Sequence, residues 1–191
     1  MNDDLNDLTS EELGILFPIA IVDYDPGWGK IFLLEKQNIL RITQPGAILR
    51  IEHIGSTAIP GLCAKPTIDI LLEISGTVDC DLLVGNLRKI HYQHIPKPEN
   101  PPPHLMLVKG YSKKGFNGQS FHIHVRYQGD WDEIVFRDYL ISNPSVARSY
   151  GELKLNLAIM FKNDREKYTD SKSGFISGIV KKARESPEKV F

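Results

Sequence analysis

Residues 51–74 read IEHIGSTAIPGLCAKPTIDILLEI, and this stretch decides how the rest of the sequence is interpreted. Two apolar runs, residues 47–54 and 66–74, predict β-strands. Between them lies a turn that contains Gly55-Ser56-Thr57. The turn either joins two strands and does no more, or it holds a phosphate group opposite a catalytic carboxylate.

The second run contains TIDILLEI, residues 67–74, and its alternation separates two faces. Successive side chains of a strand point to opposite faces of a sheet. One face is apolar and must belong to the core: Ile68, Ile70, Leu72 and Ile74. Asp69 therefore points to the other face, close to the turn. Taken alone, this pattern favours a solvated carboxylate on an open sheet face.

The stretch FHIHVRY, residues 121–127, repeats this alternation in a later predicted strand. His122, His124 and Arg126 share one face, and apolar side chains occupy the other. If this strand lies beside the first, two imidazoles and a guanidinium face the same cleft as Asp69. Ordinary surface histidines are the alternative, but a polar stripe that recurs on two strands favours a functional site.

The Gly55-Ser56-Thr57 turn and Lys65 supply groups that hold phosphate. Glycine permits positive φ, so successive N–H groups can point into one concavity. The two hydroxyl side chains add donors, and the lysine adds positive charge. The turn is not a P-loop, because Gly61 is followed by Leu62 where that motif requires lysine. A Gly-Ser-Thr turn is also common where no ligand binds.

Helical spacing in the C-terminal third adds further basic groups. Lys172 lies four residues after Tyr168 and therefore borders the inward stripe of the last predicted helix. Lys154 and Arg137 lie on the preceding predicted helices. An inward-leaning lysine can also extend its amine to solvent, which is the alternative for each residue taken singly.

Composition and charge exclude several classes of protein. No apolar run approaches the roughly 20 residues that span a bilayer, and the acidic N-terminus lacks the features of a signal peptide. Cys63 and Cys80 lack the spacing of a disulfide framework or a metal site. We therefore expect a cytoplasmic protein without a membrane partner. A net charge of −1 argues against a nucleic-acid partner. The oligomeric state has no signature in the sequence.

The order of patterns predicts a single α+β domain over residues 1–191, with strands at the centre and helices at both ends. Residues 1–12 are expected to be a frayed tail or a solvated first turn. KKGFNGQ, residues 113–119, is predicted to be the loop of an antiparallel hairpin. The proline-rich segment at 95–103 excludes regular structure and is expected to be a mobile loop able to cover a cleft.

Five stretches are similar, in this order and spacing, to the GrpB family: VDYDPGWGKIF, IEHIGSTAIPGLCAKPTIDILLEI, HIHV, FRDYLISNPSVARSYGELKLNLA and DREKYTDSKSGFI. The resemblance covers nearly the whole chain and is weakest in the proline-rich segment. It implies a nucleotidyltransferase-like fold of the polymerase-β type, in which helices pack on a mixed β-sheet. An N-terminal helix and a C-terminal helical hairpin complete the expected architecture.

In the wider nucleotidyltransferase superfamily, a Gly-Ser turn precedes a pair of carboxylates on one strand. Gly55-Ser56 matches the turn and Asp69 matches the first carboxylate, but Leu71 stands in the second position. Glu73 is no simple substitute, because four residues of a strand span about 13 Å at roughly 3.3 Å per residue. Two-metal catalysis in its usual form is therefore in doubt.

His122 or His124 is expected to take the place of the superfamily's third carboxylate. Imidazole suits transition metals better than Mg²⁺. The expected cofactor is a divalent cation held by Asp69, His122 and His124. It is Mg²⁺ or Mn²⁺, or a transition metal if the histidines ligate.

The resemblance leaves several functions open. The first is transfer of a nucleoside monophosphate from a nucleoside triphosphate to an unidentified acceptor, with Asp69, His122 and His124 catalytic. The second is a non-catalytic module for a nucleotide or phosphorylated metabolite. Some relatives are fused to the last enzyme of coenzyme A synthesis, which suggests a coenzyme-A-related ligand. The third is a metal-dependent hydrolase built on the same three residues. The expected phosphate or nucleotide ligands are Gly55, Ser56, Thr57, Lys65, Arg126, Arg137, Lys154, Tyr168 and Lys172.

Overall fold

A computed structural model describes residues 5–96 and 103–185, and these residues form six α-helices and five β-strands. The helices are α1 (Ser10–Leu16), α2 (Trp28–Ile42), α3 (Cys80–Arg88), α4 (Asp132–Ser142), α5 (Pro144–Met160) and α6 (Arg165–Glu185). The strands are β1 (Ile48–Ile54), β2 (Thr67–Ile74), β3 (Gln93–Ile95), β4 (Leu105–Ser112) and β5 (Gly115–Tyr127). A 3-10 turn, Ser56–Ala58, follows β1.

The five strands form one mixed sheet in the order β1-β2-β5-β4-β3. The β2–β5 pair is parallel, and the other three pairs are antiparallel. The predicted α+β class, with helices packed on a mixed sheet, is confirmed. The predicted N-terminal helix is α2, and α5 and α6 are the predicted hairpin. In the register of the parallel pair, Asp69 lies beside His122.

Both faces of the sheet are covered around β2. The predicted apolar face of β2 is fully buried and packs against side chains of α2 and α3. On the other face, Leu71 is also fully buried and Glu73 is 2% exposed, so the open sheet face of the simplest interpretation does not exist. Glu73 accepts hydrogen bonds from Arg50 Nε at 2.9 Å and Nη2 at 2.6 Å. This bidentate pair engages both oxygens of the Glu73 carboxylate.

Residues 10–12 form the exposed first turn of α1, which is the second alternative for this segment, and residues 5–12 are not a frayed tail. Leu5 is buried against Phe17. The Thr9 hydroxyl accepts from Glu12 N, and the Glu12 side chain accepts from Thr9 N, which is a capping box at the start of α1. Residues 1–4 of the predicted tail lie outside the described residues.

The predicted hairpin of β4 and β5 is present, but its loop is shorter than expected. Ser112 pairs with Gly115, so Lys113 and Lys114 alone make the connection and most of the predicted loop is strand. Most of the proline-rich segment, residues 97–102, lies outside the described residues. Among the helices of the described ranges, none has the length and apolar character needed to cross a bilayer.

Candidate functional site

A cleft of about 1060 Å³ opens between the polar side of the central strands and the C-terminal helices. The 3-10 turn lies in its wall, together with residues of β2, β4, β5, α5 and α6. The prediction that the polar residues of β2 and β5 share a cleft with the turn is confirmed for Asp69 and for the stripe on β5. The cleft is lined by these predicted site residues: Gly55, Ser56, Thr57, Lys65, Asp69, His122, His124, Arg126, Lys154, Tyr168 and Lys172.

Asp69, His122 and His124 form a compact cluster on the parallel strand pair. Asp69 Oδ1 lies 3.2 Å from His122 Nδ1 and 3.7 Å from His124 Nε2. One ligand atom from each residue lies within 4.8 Å of the other two. The Asp69 side chain remains 28% exposed and that of His124 25% exposed, so the cluster is reachable from the cleft. One carboxylate and two imidazoles are a donor set that fits a divalent transition metal.

Tyr111 fixes the orientation of the His122 ring. Its hydroxyl oxygen lies 2.8 Å from His122 Nε2, and the two rings are stacked with centres 5.7 Å apart. Burial lowers the pKa of His122 and outweighs the nearby Asp69 carboxylate. A neutral imidazole carries one N–H and one lone pair. With no cation bound, Nδ1–H donates to Asp69 and the Tyr111 hydroxyl donates to Nε2. In the other tautomer, Nε2–H would donate to Tyr111 and the Nδ1 lone pair would be available to a cation, since a partner on the far nitrogen orients a ligating histidine.

The Asp69 carboxylate is held in its charged form. Burial alone would raise its pKa, but hydrogen bonds and charge from His122 and His124 together hold the pKa well below its usual range. A permanently charged carboxylate beside two imidazoles is what a cation requires.

Gly55 brings the turn against this carboxylate. Its φ of 71° and ψ of −173° fall in a region that only glycine occupies readily. A Cβ atom built on Gly55 would lie 2.4 Å from Asp69 Oδ2. Both the backbone conformation and the space therefore require glycine at this position.

Three lysines, Lys65, Lys154 and Lys172, line one part of the cleft. Burial is the main cause that lowers the pKa of Lys65 to about 7, of Lys154 to about 7 and of Lys172 to about 8. Lys172 Nζ lies 4.2 Å from the centre of the Tyr168 ring, and Lys65 Nζ lies 5.4 Å from it. Arg165 also lines the cleft and lowers the pKa of Lys65 and Lys172 further. This part of the cleft carries positive charge that an anion would stabilise.

Sequence reasoning missed Arg165 and Tyr150, which both line the cleft. Arg165, Tyr168 and Lys172 follow one another at i, i+3 and i+7 in α6, a spacing that places them on one helix face. That spacing was the signal that could have identified Arg165.

Several predicted ligands have their polar groups engaged with the protein; Lys154 is 2% exposed, and its Nζ donates to the Cys63 carbonyl oxygen. The Thr57 hydroxyl donates to the Thr67 carbonyl oxygen at 3.1 Å and lies 3.0 Å from His53 Nε2. Burial lowers the pKa of His53 to about 4, so this neutral ring donates to Thr57. Although Thr57 lines the cleft, it is only 3% exposed, and its hydrogen bonds connect the turn to β1 and β2.

Arg137, another predicted phosphate ligand, does not line the cleft, and its guanidinium is engaged with the protein. Arg137 Nη1 donates to Glu52 Oε2 at 2.9 Å and to the His53 carbonyl oxygen at 2.8 Å. Its Nε donates to Asp138 Oδ1 at 2.7 Å. Arg137 therefore fastens α4 to β1.

The family model described as GrpB protein matches residues 18–182. The chain belongs to the GrpB family. It is 40% identical over 168 residues to a UPF0157 protein of Pseudomonas aeruginosa, which covers 86% of this chain and 67% of that protein. The crystal structure of conserved protein GrpB from Enterococcus faecalis is similar with a TM-score of 0.74 and 33% identity. That similarity covers 87% of this chain and 98% of the Enterococcus chain.

A more distant similarity links this GrpB family member to a dephospho-CoA kinase of Mycobacterium leprae, with 24% identity over 205 residues. The match covers 92% of this chain and 49% of the kinase, so the chain spans about half the length of that relative. The family model confirms the predicted family membership, and the fold of the Enterococcus GrpB structure agrees with this structure.

Proposed function

We propose that this GrpB family member binds a nucleoside triphosphate together with a divalent cation and transfers the nucleoside monophosphate to an acceptor. The observation that carries the proposal is the Asp69–His122–His124 cluster, which lies in the same cleft as the partly buried lysines Lys65 and Lys172. A cation ligand set and a cationic pocket in one cleft suit a ligand that carries several phosphates.

The lysines supply the attraction for phosphate. Each is held below its ordinary pKa mainly by burial, so part of the positive charge is lost near neutral pH in the free protein. A bound phosphate would restore that charge, because an opposite charge nearby favours the ionised form. Hydrogen bonds between charged groups are then short and strong. Ser56, which follows Gly55, adds a hydroxyl to the same wall.

Asp69, His122 and His124 would hold the cation, with Tyr111 orienting His122. Two imidazoles in the ligand set favour Mn²⁺ or another transition metal over Mg²⁺. When bound, such a cation neutralises charge on the phosphate oxygens during transfer. An acceptor hydroxyl then replaces pyrophosphate on the α-phosphorus: one P–O bond forms, one breaks, and the hydroxyl proton leaves to solvent.

A second candidate is a module that binds the phosphorylated ligand without turnover. Leu71, in the position of a second carboxylate, is fully buried, and Glu73 is engaged with Arg50. The common two-metal arrangement therefore lacks its second carboxylate on β2. The distant similarity to a dephospho-CoA kinase supports a coenzyme-A-related ligand for such a module.

The test uses Asp69→Asn, with Asp170→Asn as its matched control. Asp170 lines the same cleft but does not belong to the cluster, so both variants remove one carboxylate charge from the cleft. Thermal unfolding is measured with ATP, with MnCl₂ and with both, since a ligand of the folded state raises the midpoint. We expect Asp69→Asn to lose the metal-dependent increase and Asp170→Asn to keep it.

Pyrophosphate release separates the two candidates. Release by the wild type in the presence of acceptor mixtures, abolished in Asp69→Asn, supports transfer. Metal-dependent ATP binding without release supports the binding module. An unchanged metal-dependent increase in Asp69→Asn would refute the assignment of the cation to this cluster.

A further inference from the structure

The cleft has a second end whose chemistry differs from the cationic end. Along β5, the polar stripe continues from His122 and His124 to Arg126, and the antiparallel β4 lies on the far side of β5. His104 and Trp131 line the cleft with Arg126 at this end. All three side chains present a flat, delocalised group.

Contacts with the protein fix these flat groups. The Trp131 Nε1–H donates to the Tyr127 carbonyl oxygen at 3.2 Å. The Arg126 guanidinium lies 5.8 Å from the centre of the indole. The His104 ring centre lies 5.5 Å from that of Trp131, with 72° between the ring planes. The groups therefore form one aromatic and guanidinium cluster at the far end of the cleft.

The charge of Arg126 is already partly balanced. Its Nη2 lies 3.4 Å from Glu133 Oε1, and its Nη1 donates to the Val125 carbonyl oxygen at 3.0 Å. An arginine whose edge is engaged in this way still offers the face of its guanidinium for stacking. This arrangement suits a planar ring better than a phosphate group, which would compete with Glu133.

The two ends are separated by a distance that suits one ligand. Arg126 lies two residues beyond His124 and four beyond His122 on the same strand, which is about 7–13 Å at roughly 3.3 Å per residue. A ligand with phosphates at the Asp69 cluster must extend along β5 to reach Arg126. A sugar between phosphate and ring provides such an extension.

We infer that the far end, made by His104, Arg126 and Trp131, binds the planar base of the ligand, which makes the ligand a nucleotide and not a simple polyphosphate. The inference rests on the proposed function, because it assigns the second half of the same ligand. Stacking on such groups is tolerant of base identity, since every base has a π-face.

The experiment compares ATP with tripolyphosphate in the presence of MnCl₂, using isothermal titration calorimetry. Both ligands reach the cationic end, but only ATP carries a base. Stacking on aromatic side chains strengthens binding by about 5- to 150-fold per base. We expect the wild type to bind ATP more tightly than tripolyphosphate by a factor in this range.

The variants are Trp131→Ala and Trp131→Phe. Trp131→Ala should lose most of the preference for ATP and keep its affinity for tripolyphosphate, whereas Trp131→Phe should retain the preference. Trp131 is the residue immediately before α4, and its side chain makes no capping hydrogen bond to that helix. The side chain can therefore be replaced without the loss of a cap.

Intrinsic fluorescence gives a second measurement that needs no folded Trp131→Ala protein. The sequence contains two tryptophans, and Trp28 is 2% exposed in the core beneath the sheet. ATP should therefore change the emission of Trp131 in the wild type, and tripolyphosphate should leave it nearly unchanged.

The outcomes separate the two proposals. Tripolyphosphate binding without a preference for ATP, or a preference that survives in Trp131→Ala, overturns the base site and leaves the phosphate site standing. Absence of binding by both ligands overturns the proposed function, and the base site fails with it.

Discussion

Replacement of Gly55 by alanine tests whether the turn positions the carboxylate of the cluster. Gly55 has φ 71° and ψ −173°, and an added Cβ would lie 2.4 Å from Asp69 Oδ2 and 3.0 Å from its Cβ. Either the turn or the Asp69 side chain must move. We therefore expect Gly55→Ala to disturb the cation site directly, in addition to its effect on stability.

The backbone strain can be separated from the clash with a matched control. Gly61 has φ 75°, and a Cβ added there meets nothing within 4 Å. A non-glycine residue in such a conformation costs on the order of 1–3 kcal/mol. At about 2–4 °C per kcal/mol for a chain of this size, Gly61→Ala should lower Tm by roughly 2–12 °C. Gly55→Ala should lower Tm at least as far.

The assay is calorimetric titration of both variants with MnCl₂, alongside thermal unfolding. We expect Gly61→Ala to bind Mn²⁺ as the wild type does. Gly55→Ala should lose at least about tenfold in affinity, the lower end of what altered support of a metal ligand costs. Wild-type Mn²⁺ affinity in a folded Gly55→Ala protein would show that Asp69 does not hold the cation in this geometry.

Two further predictions concern the basic residues. Lys172→Met should stabilise the protein by about 1–2 kcal/mol near pH 7. This figure is the free-energy cost of burying the Lys172 charge, less the favourable interaction of that charge with the Tyr168 ring. The same substitution should weaken tripolyphosphate binding. The pKa of Lys172 is about 8 when folded, below its unfolded value, so the folded state binds fewer protons. The gain is therefore full below about pH 8 and disappears as the pH rises towards 10.4, which thermal melts across this range will show. Arg137→Met should destabilise the fold by about 1–3 kcal/mol, because the hydrogen bond to Glu52 is lost, and should leave tripolyphosphate affinity unchanged. Arg165→Met, in contrast, should lower that affinity.

The centre of the candidate site was accessible from the sequence because strands alternate strictly. The period of two placed Asp69 on one face of β2 and the two histidines on one face of β5. The alternation does not say which strands are neighbours. The family resemblance supplied the mixed sheet, and the register that places Asp69 beside His122 came from the structure.

The partners of charged side chains were not accessible in the same way. Arg137 and Arg165 have the same chemistry and both hydrogen-bond to the protein, Arg137 to Glu52 and Asp138 and Arg165 to the Phe17 carbonyl oxygen, but Arg165 alone of the two lines the cleft. Which of the two arginines lines the cleft depends on how the helices pack, and neither residue spacing nor composition encodes that packing.

Other misses had a local signal. Thr9 and Glu12 have the spacing of a capping box, so the start of α1 was recognisable within the predicted tail. The full burial of Leu71 had no such signal, because period-two alternation assigns it to a polar stripe whose coverage depends on distant helices.

The parallel pairing of β2 with β5 has a consequence for how the protein folds. Each of these strands also pairs with a close neighbour in the chain, β2 with β1 and β5 with β4. Those hairpins close short segments, whereas Asp69 and His122 are brought together across 53 residues, so their junction is the entropically costly step. The candidate site lies on this β2–β5 pair. A cation held by residues of both strands would bind only after the two hairpins have come together. Once bound, it would slow the separation of β2 from β5.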